Sequence, residues 1–166
     1  MEGKSQQDHI RFHYHKPGQI PPETLEQIRR LIIKGGGVGK AYIRENLQKS
    51  FIVAYAVDQD ENVAGTVTLK HPKTEYRKKI ERASGWDLSG YLERGYTAVE
   101  PEHRGRGISD TLIKGLNQRS IGQKVYTTIG MDNAAALRLT QKNGMRLAAD
   151  FINWRTGRKI GLFVNQ

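Results

Sequence analysis

The segment Val99-Glu100-Pro101-Glu102-His103-Arg104-Gly105-Arg106-Gly107-Ile108-Ser109 sets two glycines among two arginines, directly after an apolar strand-like run and directly before an amphipathic helix-like run. Residues of these types in this order can hold a diphosphate. Glycine lets the main chain approach an anion closely, the first amides of a helix have no intrahelical acceptor, and the helix dipole adds partial positive charge at the same end. Arg104 and Arg106 can add charge-assisted hydrogen bonds to phosphate oxygens. The alternative for a short loop alone is a glycine-rich turn with solvated arginines.

Two common phosphate-loop patterns fail against this chain. G-x-x-x-x-G-K-[ST] is absent, and G-x-G-x-x-G is not completed, because Ile108, Ser109 and Asp110 follow Gly105-Arg106-Gly107. A dinucleotide-binding unit also places its loop after the first strand, whereas this one lies well past the middle of the chain. The third pattern, R-x-x-G-x-G/A, is met by Arg104, Gly107 and Ser109, with serine in place of the final glycine or alanine. It resembles the coenzyme A pyrophosphate loop of the GNAT superfamily of N-acetyltransferases. One strand and one turn further on, Asn133-Ala-Ala-Ala136-Leu-Arg-Leu139-Thr140-Gln-Lys142-Asn-Gly144-Met145 is similar to a second GNAT signature, N-x-x-A-x-x-L-Y-x-K-x-G-F, and matches it at Asn133, Ala136, Leu139, Lys142 and Gly144. That spacing also suits a helix capped by Asn133 and ended by Gly144 in a left-handed conformation.

The resemblance implies an α+β, mixed α/β GNAT fold: a central twisted mixed sheet of six to seven strands with a parallel, splayed fourth and fifth strand pair, flanked by about four helices. It further implies transfer of an acetyl group from acetyl-CoA, as cosubstrate, directly to a primary amine in a ternary complex. Backbone groups of Thr97, Ala98 and Val99 would then pair with the pantetheine and the thioester carbonyl. Arg104, Gly105, Arg106, Gly107, Ile108 and Ser109 would hold the pyrophosphate, and Asn133 would contact the coenzyme arm. Such chemistry needs an unprotonated amine, stabilisation of the oxyanion and a proton for the leaving thiolate, and no metal. Glu93 is the candidate general base, with an ion pair to a neighbouring Lys or Arg as the competing role. Counting by twos along an extended strand puts it on one face with Gly95, Thr97 and Val99. The tyrosine that family members often use as general acid falls at Thr140, and threonine is a far poorer proton donor than a phenol of pKa about 10. Tyr126 on the next strand is expected to serve packing.

Composition bounds the alternatives. The 166 residues suit a single domain, 1–166, with a real core. There is no cysteine, so disulfides, thiolate nucleophiles and cysteine metal sites are excluded, and the five histidines show no metal-ligand spacing. Met1 to Gln7 is polar without an apolar centre, and no apolar run approaches the roughly 18 residues of a membrane span. A cytoplasmic protein is expected. Lys and Arg number 27 against 17 Asp and Glu, a formal charge of +10 that favours anionic partners and argues against polyamine acceptors. The densest basic stretch, Lys70, Lys73, Arg77, Lys78, Lys79 and Arg82, surrounds only Tyr76, thin support for a nucleic-acid groove. Two rivals accordingly stand beside the transferase: a non-catalytic coenzyme A binding or sensing module, motivated by Thr140, and a basic RNA-binding domain. The acceptor amine, small molecule or protein, is open, as is assembly into a homodimer.

The supporting elements follow from periodicity. Ile10 to His15 alternates as a strand, with His9, His13 and His15 on its surface. Pro21-Pro22-Glu23 opens a helix whose apolar residues Leu25, Ile28, Leu31 and Ile32 fall on one face and which stops at Gly35-Gly36-Gly37, and a second helix runs from about Lys40 to Gln48. By resemblance this helical region borders the acceptor side. Phe51 to Val57 and Val63 to Leu69 form a hairpin. Pro72 to Gly90 is irregular and basic, with a short helix at Glu75 to Arg82, in a place where insertions often carry specificity. Leu92 to Val99 feeds the glycine loop; Ile108, Leu112, Ile113 and Leu116 mark the next helix, and Lys124 to Ile129 the fifth strand, parallel to the fourth. Asn133 to Asn143 is helical, and Met145 to Trp154 pairs with Lys159 to Val164 across Thr156-Gly157.

Overall fold

The hydrophobic spacing places its elements almost where it predicts them. The computed structural model describes residues 9–166, so the polar run at Met1 to Gln7 lies outside the described residues. In chain order the strands are β1 (Arg11–His15), β2 (Ile52–Val57), β3 (Val63–Lys70), β4 (Leu92–Val99), β5 (Val125–Gly130), β6 (Arg146–Ile152) and β7 (Lys159–Val164). The α-helices are α1 (Pro22–Gly35), α2 (Ile43–Gln48), α3 (Thr74–Ser84), α4 (Ile108–Arg119) and α5 (Ala134–Lys142), five among the described residues, of which α3 is the helix expected at Glu75 to Arg82. The strands form a mixed sheet in the order β1-β2-β3-β4-β5-β7-β6, with β4 and β5 parallel. No helix among the described residues is long and apolar enough to cross a membrane.

The chain divides into two compact units: one comprises the chain up to Thr68 with Tyr96–Arg119, the other Leu69–Gly95 with Ser120–Gln166. In the first unit, α1 starts on a proline whose missing N–H costs nothing there and buries Ile28, Leu31 and Ile32. Each such fully buried aliphatic side chain contributes about 1.5–3 kcal/mol over exposure. Gly36, at φ 71°, ends the helix. Helix α2 begins at Ile43 rather than near Lys40 and buries Ile43 and Leu47. These residues share one cluster with Val53, Tyr55, Val57 and Tyr96. Strand β1 pairs antiparallel with β2, and α4 packs against both. At that contact the Tyr14 ring lies where a Cβ on Gly115 would be, its hydroxyl donates to the Thr111 carbonyl at 3.0 Å, and the Arg119 guanidinium sits 3.9 Å from the ring centre.

In the second unit β7 lies between β5 and β6, antiparallel to each. Ile80, Leu88, Tyr91, Tyr126, Phe151, Leu162 and Val164 form the core beneath α3, which is longer than the short helix its spacing suggested and packs on β6. Glu81 extends its reach by accepting the Leu88 amide at 2.9 Å. Both tryptophans are here. Trp86 lies under the Arg146 guanidinium, and the part-exposed Trp154 stacks on Phe151 and meets Tyr76 edge-on. Asn133 caps α5, its Oδ1 accepting the Ala136 amide at 3.1 Å, and Gly144 at φ 85° terminates the chain segment beyond it, as the spacing predicts.

Alanine for glycine in an open helix interior gains about 1 kcal/mol, yet the Tyr14 ring reverses that sign at position 115. Gly115→Ala is expected to lower, and Gly115→Val to lower further, the thermal unfolding midpoint followed by circular dichroism, with a loss of about 1–3 kcal/mol for valine.

Candidate active site

The glycine–arginine loop is built by the first unit. Strand β4 ends at Val99, a short 3-10 turn spans Pro101–His103, and α4 begins at Ile108. Gly105 and Gly107 take φ of 77° and 73°, a left-handed region other residues enter only with strain, and nothing lies within 4 Å of where a Cβ on either would stand. The Gly107 carbonyl accepts the Thr111 amide at 3.0 Å, so the first-turn amides of α4 follow directly on open space. Arg104 Nε reaches back to the Val99 carbonyl at 3.3 Å, folding that side chain over the strand end, while Arg106, between the two glycines, is an exposed residue.

Several contacts fix this loop. The buried Ile108 seats the start of α4 on β3, where a Cβ on Gly65 would fall 2.8 Å from its Cγ2. The Glu100 amide donates to the Ala64 carbonyl at 2.8 Å and its carboxylate accepts from Lys34 at 2.7 Å. His103 Nε2 lies 3.7 Å from Asp58, which itself organises the β2–β3 turn by accepting the Asp60 and Asn62 amides.

Strand β4 does not alternate throughout. Tyr96 stands at φ 52°, unusual for a bulky residue and worth about 1–3 kcal/mol of strain, held by its place in the first unit's core and by Asn46 Nδ2 donating to its hydroxyl at 2.8 Å. The two-residue count that joined Glu93 and Gly95 to Thr97 and Val99 is therefore interrupted at Tyr96. Beyond it Thr97 is exposed and Ala98 buried.

The second unit holds Glu93 and Asn133. The parallel β4–β5 ladder consists of Leu92↔Val125 and Glu93↔Tyr126, and Thr127 Oγ1 takes over next by donating to the Arg94 carbonyl at 2.9 Å. Glu93 is 8% exposed, with Lys70 Nζ 3.5 Å from one oxygen and the Tyr126 hydroxyl donating to the other at 3.3 Å. So the ion pair foreseen as its competing role is present. Tyr126 is wholly buried, edge-on to Tyr91, and burial first, with the Glu93 charge second, pushes its phenol up, so it stays a donor at all ordinary pH. Gly95 makes room for this group, since a Cβ there would press on the Lys70 ammonium at 3.3 Å. Lys70 thus leaves the basic surface stretch that the sequence suggested, and Arg77 in the same stretch lies 3.5 Å from Glu81.

One residue that sequence reasoning passed over is Arg94. It is 5% exposed, and its Nη2 donates to Thr140 Oγ1, itself 1% exposed, at 2.8 Å. Burial brings its pKa down to about 10, leaving it charged at neutral pH. The only signal in the sequence was two consecutive charged residues inside an otherwise apolar strand. No group of three or more His, Asp or Glu among the described residues is placed to hold a metal ion.

A family model described as the acetyltransferase (GNAT) family matches residues 24–145. NAA60 of Arabidopsis thaliana, solved in complex with acetyl-CoA, superposes with a TM-score of 0.69 over 93% of this chain and 98% of its own, at 19% identity. Naa50 of Arabidopsis thaliana, in complex with the bisubstrate analogue CoA-Ac-MVNAL, gives 0.69 over 95% and 98% at 16% identity. The IAA acetyltransferase from Bacillus cereus gives 0.66 over 93% and 97% at 16% identity. At these identities the likeness is one of fold. No curated protein matches the sequence.

Tyr126→Phe removes one donor to a buried carboxylate while keeping the ring. It is expected to cost about 1.5 kcal/mol in urea unfolding, the lower end for a hydrogen bond to a charged group given its length.

Proposed function

Because the chain belongs to the acetyltransferase (GNAT) family, we propose that it moves an acetyl group from acetyl-CoA to a primary amine by direct transfer, without a covalent enzyme intermediate. The observation that carries this reading is the pair of left-handed glycines, 105 and 107, bordering open space at the start of α4. A diphosphate fits such a cradle: backbone amides, a helix N-terminus and the Arg104 and Arg106 cations all favour it. In this reading the loop from Arg104 to Ser109 binds the pyrophosphate of the coenzyme. Backbone groups of Thr97, Ala98 and Val99 hold its arm, and Asn133 contacts it at the start of α5. The two compact units are read as halves of one acetyltransferase domain, since the family match runs through segments of both.

Glu93 is the proposed base. Its carboxylate has Lys70 Nζ 3.5 Å from one oxygen and accepts the Tyr126 hydroxyl at 3.3 Å on the other, so the group is fixed in place. The acceptor is an amine whose class the fold relatives bracket broadly, with a peptide-bearing analogue on Naa50 and an acetyltransferase of IAA in Bacillus cereus. A second reading, coenzyme A sensing without turnover, draws on Thr140, whose hydroxyl is committed to Arg94 instead of offering a phenolic proton. Coenzyme binding with no thiol release across a panel of amines would favour it.

Gly107→Trp is expected to abolish acetyl-CoA binding in calorimetry, with circular dichroism unchanged, because the indole would occupy the open side of the loop. Unaltered affinity would refute the cofactor assignment. Glu93→Gln is expected to slow acetylation most at low pH, where the amine is protonated and a base is needed, and least as pH nears the amine's own pKa. A pH–rate profile parallel to wild type would remove Glu93 from that role.

A further inference from the structure

We propose that Arg94 is the counter-charge for the sulfur that leaves the acetyl group: its guanidinium, buried on β4 and held by Thr140 on α5, is set to pair with a thiolate. This rests on the reading of the chain as an acetyl-CoA-dependent transferase. A buried guanidinium is costly unless something negative faces it. Arg94 has one hydrogen-bond partner among the described residues, the neutral hydroxyl of Thr140, and no carboxylate of a described residue lies within ion-pair distance. The contrast with Lys70 is direct. That cation, 9% exposed, has Glu93 at 3.5 Å, whereas Arg94, 5% exposed and next to Glu93 in sequence, has no acid among the described residues. Burial is the sole cause of its lowered pKa, which shows the same want of a charge partner.

The proposed reaction supplies the missing anion. As the acceptor nitrogen forms its bond to the acetyl carbon, the C–S bond breaks and the electron pair stays on sulfur. The proton released by nitrogen passes to the base, and the thiolate waits for a proton from water. Arg94 keeps all of its protons throughout, so its contribution is electrostatic, and its burial strengthens it. Its supports are the elements proposed above for the coenzyme: β4 carries Thr97, Ala98 and Val99 three to five residues further on, and Asn133 caps α5. The short Thr140 side chain lets the guanidinium approach to 2.8 Å and fixes it there, making Thr140 a positioning residue.

The test reads the thiol of bound coenzyme A, with no acceptor present. Binding is followed by calorimetry and thiolate formation by its ultraviolet absorbance across pH, for the wild-type chain and for Arg94→Met, Arg94→Lys and Thr140→Val. In the wild type the bound thiol should titrate at least about one pH unit below free coenzyme A. Arg94→Met should return it to the free value, Arg94→Lys should keep most of the shift, and Thr140→Val should keep part. An unshifted thiol on the wild-type chain overturns the inference without recourse to any variant, as does an equal shift in folded Arg94→Met. Failure of coenzyme A to bind the wild type overturns the transferase reading and this inference with it, whereas binding with an unshifted thiol overturns the inference alone.

Discussion

Two opposite charges buried on consecutive residues of one strand, Glu93 and Arg94, set the terms for everything packed around them. Neither side chain can be left to a low-dielectric interior without compensation. The carboxylate receives an ammonium from the end of β3 and a phenol from β5, and Gly95 is there because a side chain would displace that ammonium. Among the described residues the guanidinium receives only a hydroxyl. Consecutive strand residues face opposite ways, so these demands fall on different sets of neighbours, and β4 becomes the element through which they meet.

The same strand gives up regularity two residues later. Tyr96 enters a left-handed conformation that a tyrosine reaches only at a cost, and core packing with the Asn46 hydrogen bond holds it there. The parallel ladder to β5 pairs Leu92 and Glu93, before this point, and Thr97 just beyond it is exposed.

Much of this was legible in the sequence wherever the physics is local. Glycines at 105 and 107 announce left-handed turns, Asn133 and Gly144 announce the two ends of a helix, and the apolar periods place β4, α4 and β5 nearly to the residue. What escaped depends on non-local partners. Nothing in the letters says that Lys70, twenty-three positions before Glu93, is its ion-pair partner rather than a member of a basic surface, or that Arg94 and Thr140 meet. Tyr96 is also unreadable, because tyrosine carries no preference for positive φ and only its surroundings impose it. Helix α3 outran its expected length because Glu81 and Gly85 extend and close it through contacts that its own weak apolar pattern does not advertise.

The placement of the two tryptophans has a spectroscopic consequence. Trp86 and Trp154 both lie in the unit of Leu69–Gly95 and Ser120–Gln166, and the other unit has none among its described residues. Indole emission therefore reports the melting of one unit, while far-ultraviolet ellipticity sums over helices of both. Coincidence of the two curves is a direct measure of whether the chain unfolds as one cooperative body.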